Sequence, residues 1–164
     1  MKLTKNFTLE EITRSNTALR LGLDNKPTKE GVLKLTLLAS SVLQPLREVI
    51  GAIRITSGYR SVALNKAIGG SSSSQHCKCE AVDLQYFKRG KMDNITMFNS
   101  FISLAIDFDQ LIIEFGGATE TKDSDCPDWI HLSWKTENNR RQVLVAYKDE
   151  NNKTKYRRPN NYIV

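Results

Sequence analysis

Only two histidines occur in this chain, and each sits close to a carboxylate. The first run reads Ser74-Gln75-His76-Cys77-Lys78-Cys79-Glu80-Ala81-Val82-Asp83. The second reads Asp128-Trp129-Ile130-His131. Two imidazoles and one carboxylate, from His76, His131 and Asp83, form a donor set that suits zinc. Three protein donors leave a fourth position open, and an open position separates a catalytic zinc from a structural one. Asp128, three residues before His131, is then a nearby carboxylate without a ligand role. It is placed to take a proton from water activated by the metal.

Two other chemistries compete for the same residues. Cys77, Cys79 and Cys126 could join His76 or His131 in a structural Cys/His zinc centre. The Cys-x-Cys spacing is tighter than such centres normally use. Serines crowd His76, so a serine nucleophile is possible on paper, but no Gly-x-Ser-x-Gly run supports it.

The elements around these residues read as helices first and strands later. Phe7-Thr8-Leu9-Glu10-Glu11 opens with a capping box in which Thr8 caps Glu11 and Glu11 reaches back. A short helix to about Ser15 follows, then a connection from Leu21 to Pro27. Thr28 caps a long helix to about Ile50, with Leu35, Leu38, Val42, Leu46 and Val49 at helical spacing. Pro45 should interrupt it, and Gly51 should end it. Ile53 to Thr56 alternates as a strand. After the turn Ser57-Gly58-Tyr59-Arg60-Ser61, a short helix covers Val62 to Ile68, and a loop of small residues leads into His76. Glu80 to Tyr86 reads as a strand carrying Asp83. A helix from about Asn94 to Ile106 precedes a strong strand from Gln110 to Phe115. Trp129 to Lys135 and Arg141 to Tyr147 complete the strands. This order predicts an α+β fold with a largely antiparallel sheet and helices packed on one side. The His76 loop and the strands of Asp83 and His131 can then meet on one sheet face.

Length and composition bound the rest. The chain has 164 residues, 40% hydrophobic and 26% charged, which suits one soluble domain. We expect that domain over residues 1–148 and a polar, basic, loosely packed tail over 149–164. Three cysteines argue against a disulfide-stapled scaffold. No apolar run is long enough to span a membrane, and no signal peptide is visible. The expected route is synthesis in the cytoplasm and action elsewhere after release. The net charge of +6 favours an anionic partner: nucleic acid, a membrane surface or a cell-wall polymer. Nucleic acid is the weakest of these, because aromatic and basic residues are not interleaved into a stacking platform.

At the two histidine motifs the sequence resembles the zinc D-Ala-D-Ala carboxypeptidase/endopeptidase family of peptidoglycan peptidases, which share a fold with the Hedgehog signalling domain. Ser74-x-His76-x6-Asp83 and the distant His131 with its acid at minus three carry the likeness. Phe7 to Glu11, Leu43-Gln44-Pro45-Leu46-Arg47, Ser57 to Ser61 and Asp109-Gln110-Leu111-Ile112 extend it, most like phage and prophage members. The resemblance implies that His76, Asp83 and His131 bind Zn2+. It implies that Asp128 is the catalytic acid/base, that Arg60 binds substrate or stabilises the developing oxyanion, and that Ser74 can hydrogen-bond substrate. Cys79 stands where the family pattern usually has glycine. The expected function is hydrolysis of peptide bonds in peptidoglycan stem peptides by a monomer, with endopeptidase and carboxypeptidase both open. The alternative is a zinc-containing module that binds cell wall without cleaving it.

Overall fold

The computed structural model describes residues 1–160. Helix α1 (Leu9–Thr13) begins where Thr8 Oγ1 accepts from the Glu11 backbone N–H at 3.2 Å. The return bond of a capping box is absent among the described residues; Glu10 instead pairs with the Met1 ammonium. A second helix, α2 (Asn16–Leu21), fills the stretch between the first helix and the Leu21 to Pro27 connection, where no element was expected. Ser15 caps it, and Gly22, left-handed at φ 62°, closes it.

The long helix is divided. α3 (Lys29–Leu38) runs from its Thr28 cap into a π-helical turn, Ala39–Leu43, and then into α4 (Gln44–Ile50). Pro45 cannot donate a backbone hydrogen bond. The widened turn lies just before it, so the helix goes on instead of breaking. Leu35, Leu38, Val42 and Leu46 are buried as expected, while Val49 is exposed.

One sheet of seven strands follows among the described residues: β1 (Ile53–Ser57), β2 (Ala81–Lys88), β3 (Lys91–Met92), β4 (Gln110–Glu114), β5 (Trp129–Ser133), β6 (Gln142–Lys148) and β7 (Thr154–Arg157). Their order is β1-β2-β5-β4-β6-β7, with β3 against β2. Every pair is antiparallel except β4 with β6. Between the strands lie α5 (Val62–Ala67), a 3-10 turn at Gln75–Lys78 and α6 (Asn94–Ser103). The chain is thus a mixture of helices with a mainly antiparallel sheet.

Alternation sorts the two sheet faces. Val82, Leu84, Leu111, Ile113, Ile130, Leu132, Val143 and Val145 are buried in a core shared with Leu35, Leu38, Leu46, Phe98 and Phe101. Burying each such large side chain contributes about 2 kcal/mol. Their neighbours Asp83, Ile112, His131 and Leu144 stand on the opposite face. Asn94 is fully buried and locks the layers together. Its Oδ1 accepts from the Tyr86 backbone N–H at 2.7 Å, and its Nδ2 donates to the Pro127 carbonyl at 2.8 Å.

Two boundaries differ from expectation. α6 stops at Ser103, because Ala105 turns left-handed at φ 52°. The polar stretch beyond Lys148 is not loose throughout: Thr154–Arg157 pairs with β6, setting Tyr156 opposite Ala146. Arg157 clamps the strand to the loop before β5, 2.6 Å from Asp123 and 3.0 Å from the Thr119 carbonyl. Main-chain pairing and an ion pair need few apolar residues, so low hydrophobicity concealed this strand. Residues 161–164 of the expected tail lie outside the described residues.

Candidate metal centre

Strand register assembles the site. Asp83 on β2 stands directly opposite His131 on β5, and His131 stands opposite Ile112 on β4. Residues directly opposite share a face. His76 arrives from the 3-10 turn and is buried. Asp83 Oδ1 lies 2.9 Å from His131 Nδ1 and 3.3 Å from His76 Nε2. One donor atom from each of the three residues falls within 4.8 Å of the others.

The other nitrogen of His76 is already committed. Nδ1 lies 2.7 Å from the Gly58 carbonyl, so it carries the proton and leaves the Nε2 lone pair facing the cluster. Gly58 must be glycine for this contact. A Cβ there would lie 2.2 Å from the Ile12 carbonyl oxygen. The same turn is tied to α1 by Tyr59 N–H to the Ile12 carbonyl, 2.9 Å, and to the 3-10 turn by Arg60 N–H to the His76 carbonyl, 3.3 Å.

Electrostatics suit a cation. Burial holds the His76 imidazole below its ordinary range, against the pull of Asp83, so the ring is neutral at pH 7. Burial opposes ionisation of Asp83, but the His76 and His131 rings outweigh it and hold the carboxyl well below the usual range. A neutral buried imidazole, a second imidazole and an ionised carboxylate converging on one point fit a divalent ion such as zinc.

The remaining expected residues divide. Arg60 reaches the cluster: its Nη2 donates to Asp83 Oδ2 at 2.8 Å and its Nε to Ser57 Oγ at 2.9 Å. Ser74 lines the same cleft, of about 790 Å³, with His76, Asp83 and His131. Asp128 does not line it. It lies exposed in a bend before β5, with its carbonyl accepting from Gln85 Nε2 and Asn94 Nδ2 at 2.9 and 3.3 Å.

A different carboxylate occupies the cleft. Glu114, at the end of β4 and two residues from Ile112, is 7% exposed and lines the cavity. Its carboxylate makes no hydrogen bond among the described residues. Burial pushes it up to about 7; the His131 ring opposes this and the Asp83 charge adds to it. An acid closing the apolar strand Leu111-Ile112-Ile113 was the available signal. Tyr156 was not foreseen either; it lines the cleft from β7. Burial and the Glu114 and Asp83 charges raise its hydroxyl pKa.

No cysteine takes part in a metal cluster among the described residues; His76, Asp83 and His131 form the one found there. Cys79 adopts the left-handed conformation, φ 61°, in which the family pattern places glycine.

A family model described as Peptidase M15 matches residues 5–107, well over half of the chain. The chain belongs to the Peptidase M15 family. The match spans Arg60, Ser74, His76 and Asp83 and ends before β4. Sheet register then brings His131 to the two matched donors. Members of the family are zinc metallopeptidases of the D-Ala-D-Ala carboxypeptidase type, and the cluster here has the donors for that ion. No curated protein matches the sequence. No helix among the described residues is long and apolar enough to cross a membrane.

Proposed function

We propose that this chain is a zinc-dependent peptidase cleaving peptide bonds in bacterial peptidoglycan stem peptides, of the phage or prophage lysin type. One observation carries this reading: His76, Asp83 and His131 converge in a cleft that also contains the buried carboxylate of Glu114. The ion would be held by His76 Nε2, Asp83 Oδ1 and His131 Nδ1, the atoms that face one another. When bound there, zinc would supply Lewis acidity toward the scissile carbonyl and toward water near neutral pH.

The other roles fall to side chains. Glu114 takes the proton of the attacking water and returns it to the leaving amine. A carboxyl near neutrality suits both transfers, and no donor among the described residues competes for its oxygens. Between the two candidate acids, Glu114 replaces Asp128 in this role, because it alone lines the cleft. Arg60 fixes Asp83 through Nη2 and keeps Nη1 for the negative charge that develops on the carbonyl oxygen. Ser74 offers a hydroxyl to the substrate backbone. The net charge of +6 draws the protein to an anionic wall.

The test is hydrolysis of purified peptidoglycan by the zinc-loaded protein, with products read by mass spectrometry. Glu114→Gln and Asp128→Asn are run beside it. Glu114→Gln should lose at least about 100-fold in rate, and Asp128→Asn should retain activity. The reverse pattern would return the acid/base role to Asp128. Zinc-replete protein that binds wall but releases no peptide would leave a binding module.

A further inference from the structure

At the Glu114 end of the cleft, side chains line up in a row across the sheet. Trp129 on β5 pairs with Glu114 on β4, Glu114 with Ala146 on β6, and Ala146 with Tyr156 on β7. Directly paired residues share a face. Glu114 lies two residues from Ile112, so that face is the one carrying His131. Neighbouring strands lie about 4.8 Å apart, which sets Tyr156 about 10 Å from Glu114 along the row. Ala146 stands between them, and its methyl group fills little of that gap.

A third aromatic joins the row against the rule of alternation. Phe115 follows Glu114, so in a regular strand its ring would point to the other face. Its backbone is instead left-handed at φ 55°, rare for a bulky residue, and its ring lines the cleft beside Glu114. The Phe115 N–H holds the turn by donating to the Ala146 carbonyl at 3.1 Å. The ring meets Trp129 edge-on, with centroids 5.5 Å apart and planes at 70°. Lys148 Nζ lies 5.2 Å from the Phe115 centroid and donates to Thr154 Oγ1 at 2.8 Å, which ties the ring to β7. Strain of this kind, kept at one place in a cleft, points to a use there.

The rings are matched to a guest that is only partly apolar. Trp129 and Phe115 are half-buried and Tyr156 is 55% exposed, so their surfaces form an open shelf, not an enclosed pocket. The Trp129 indole N–H and the Tyr156 hydroxyl make no hydrogen bond among the described residues, and both side chains line the cleft. A fitting guest offers an apolar face to the rings and polar groups at its rim. A pyranose does so: C–H bonds make up its faces, and hydroxyl and acetamido groups surround its edge.

We propose that Trp129, Phe115 and Tyr156 form a shelf for an N-acetylated sugar ring of the glycan, beside the bond that is cut. This rests on the peptidase reading and narrows its substrate class to stem peptides still joined to glycan, in preference to free peptides. The shelf adjoins Glu114, so the scissile bond lies near the sugar end of the stem. The indole N–H and the phenol donate to hydroxyl or acetamido oxygens of the sugar.

The probes are a disaccharide-linked stem pentapeptide, the free pentapeptide of the same sequence, and a peptide-free tetramer of N-acetylglucosamine. Zinc-loaded parent should turn over the glycan-linked peptide with kcat/KM about tenfold above that for the free one. Trp129→Ala and Tyr156→Ala should each cut that ratio to about threefold or less. Loss of folded protein lowers both rates alike, so the ratio reads the shelf alone. Tyr156 is exposed on an edge strand, so Tyr156→Ala carries the test if Trp129→Ala does not fold. Equal kcat/KM for the two peptides, or a ratio undiminished in both variants, overturns the shelf and leaves the peptidase reading intact. Cleavage of neither peptide by the parent sinks the peptidase reading, and calorimetric titration with the tetramer then decides the shelf. Binding that Tyr156→Ala weakens about tenfold sustains it. No binding, or equal binding by parent and variant, overturns it.

Discussion

Replacing Glu114 by glutamine should abolish hydrolysis yet make the metal-free protein more stable in alkali. Glu114 is 7% exposed, and burial raises its pKa from 4.5 to about 7. A carboxyl whose folded pKa is raised contributes stability that is fully present below its unfolded value. That contribution is lost as pH rises through the folded value. Between about 4.5 and about 7 the unfolded carboxyl ionises while the folded one keeps its proton, so the fold loses stability by a growing amount. At 1.36 kcal/mol per unit, the cost reaches about 3 kcal/mol above pH 8. Glutamine keeps the shape and carries no charge to desolvate. Its amide faces the cleft as the carboxylate does, so little is returned through an unsatisfied polar group.

Urea denaturation of chelator-treated protein at pH 4.5, 6, 7 and 8.5 would measure this difference. Parent and Glu114→Gln should be nearly equal at the lowest pH and diverge upward, with the variant ahead by about 2–3 kcal/mol at the highest. For a chain of this size that is a rise of about 4–12 °C in Tm. A constant difference across the series, or a variant less stable at pH 8.5, would refute the assignment of a costly buried charge to Glu114.

Three further outcomes follow from the geometry. Gly58→Ala forces a Cβ to within 2.2 Å of the Ile12 carbonyl. It should lower stability by about 2 kcal/mol or more and weaken zinc retention by shifting the acceptor of His76, measured by melting and by metal analysis. The triple variant Cys77→Ser, Cys79→Ser, Cys126→Ser should keep one zinc per chain by elemental analysis; loss of the metal would restore the Cys/His centre. Truncation after Lys148 removes β7 and with it Tyr156 and the Arg157–Asp123 pair. It should lower Tm and reduce peptide hydrolysis, and an unchanged melting curve would show that the strand adds nothing.

Local patterns in the sequence carried much of the fold. Leu35, Leu38, Val42 and Leu46 announced the buried helix face through their spacing, and the apolar run at Leu111 to Ile113 announced β4. α2 was missed although Ser15 and Gly22 bracket it, because six residues are too few for periodicity to register. β7 was missed because an edge strand of Thr, Lys, Tyr and Arg lacks the apolar alternation by which strands are recognised.

The sequence by itself determined which side chains could bind a metal. Two histidines and Asp83 lie in motifs whose donor chemistry is fixed by residue type, and chemistry of that kind needs no fold to be read. It also proposed Asp128, because an acid three residues from His131 is close along the chain. Only the tertiary structure decided that Glu114 shares the cleft while Asp128 stands outside it. Register pairs Ile112 with His131 across strands 19 residues apart in the chain, and burial then sets the carboxyl's proton affinity. Register and burial are products of long-range packing, which no local spacing encodes.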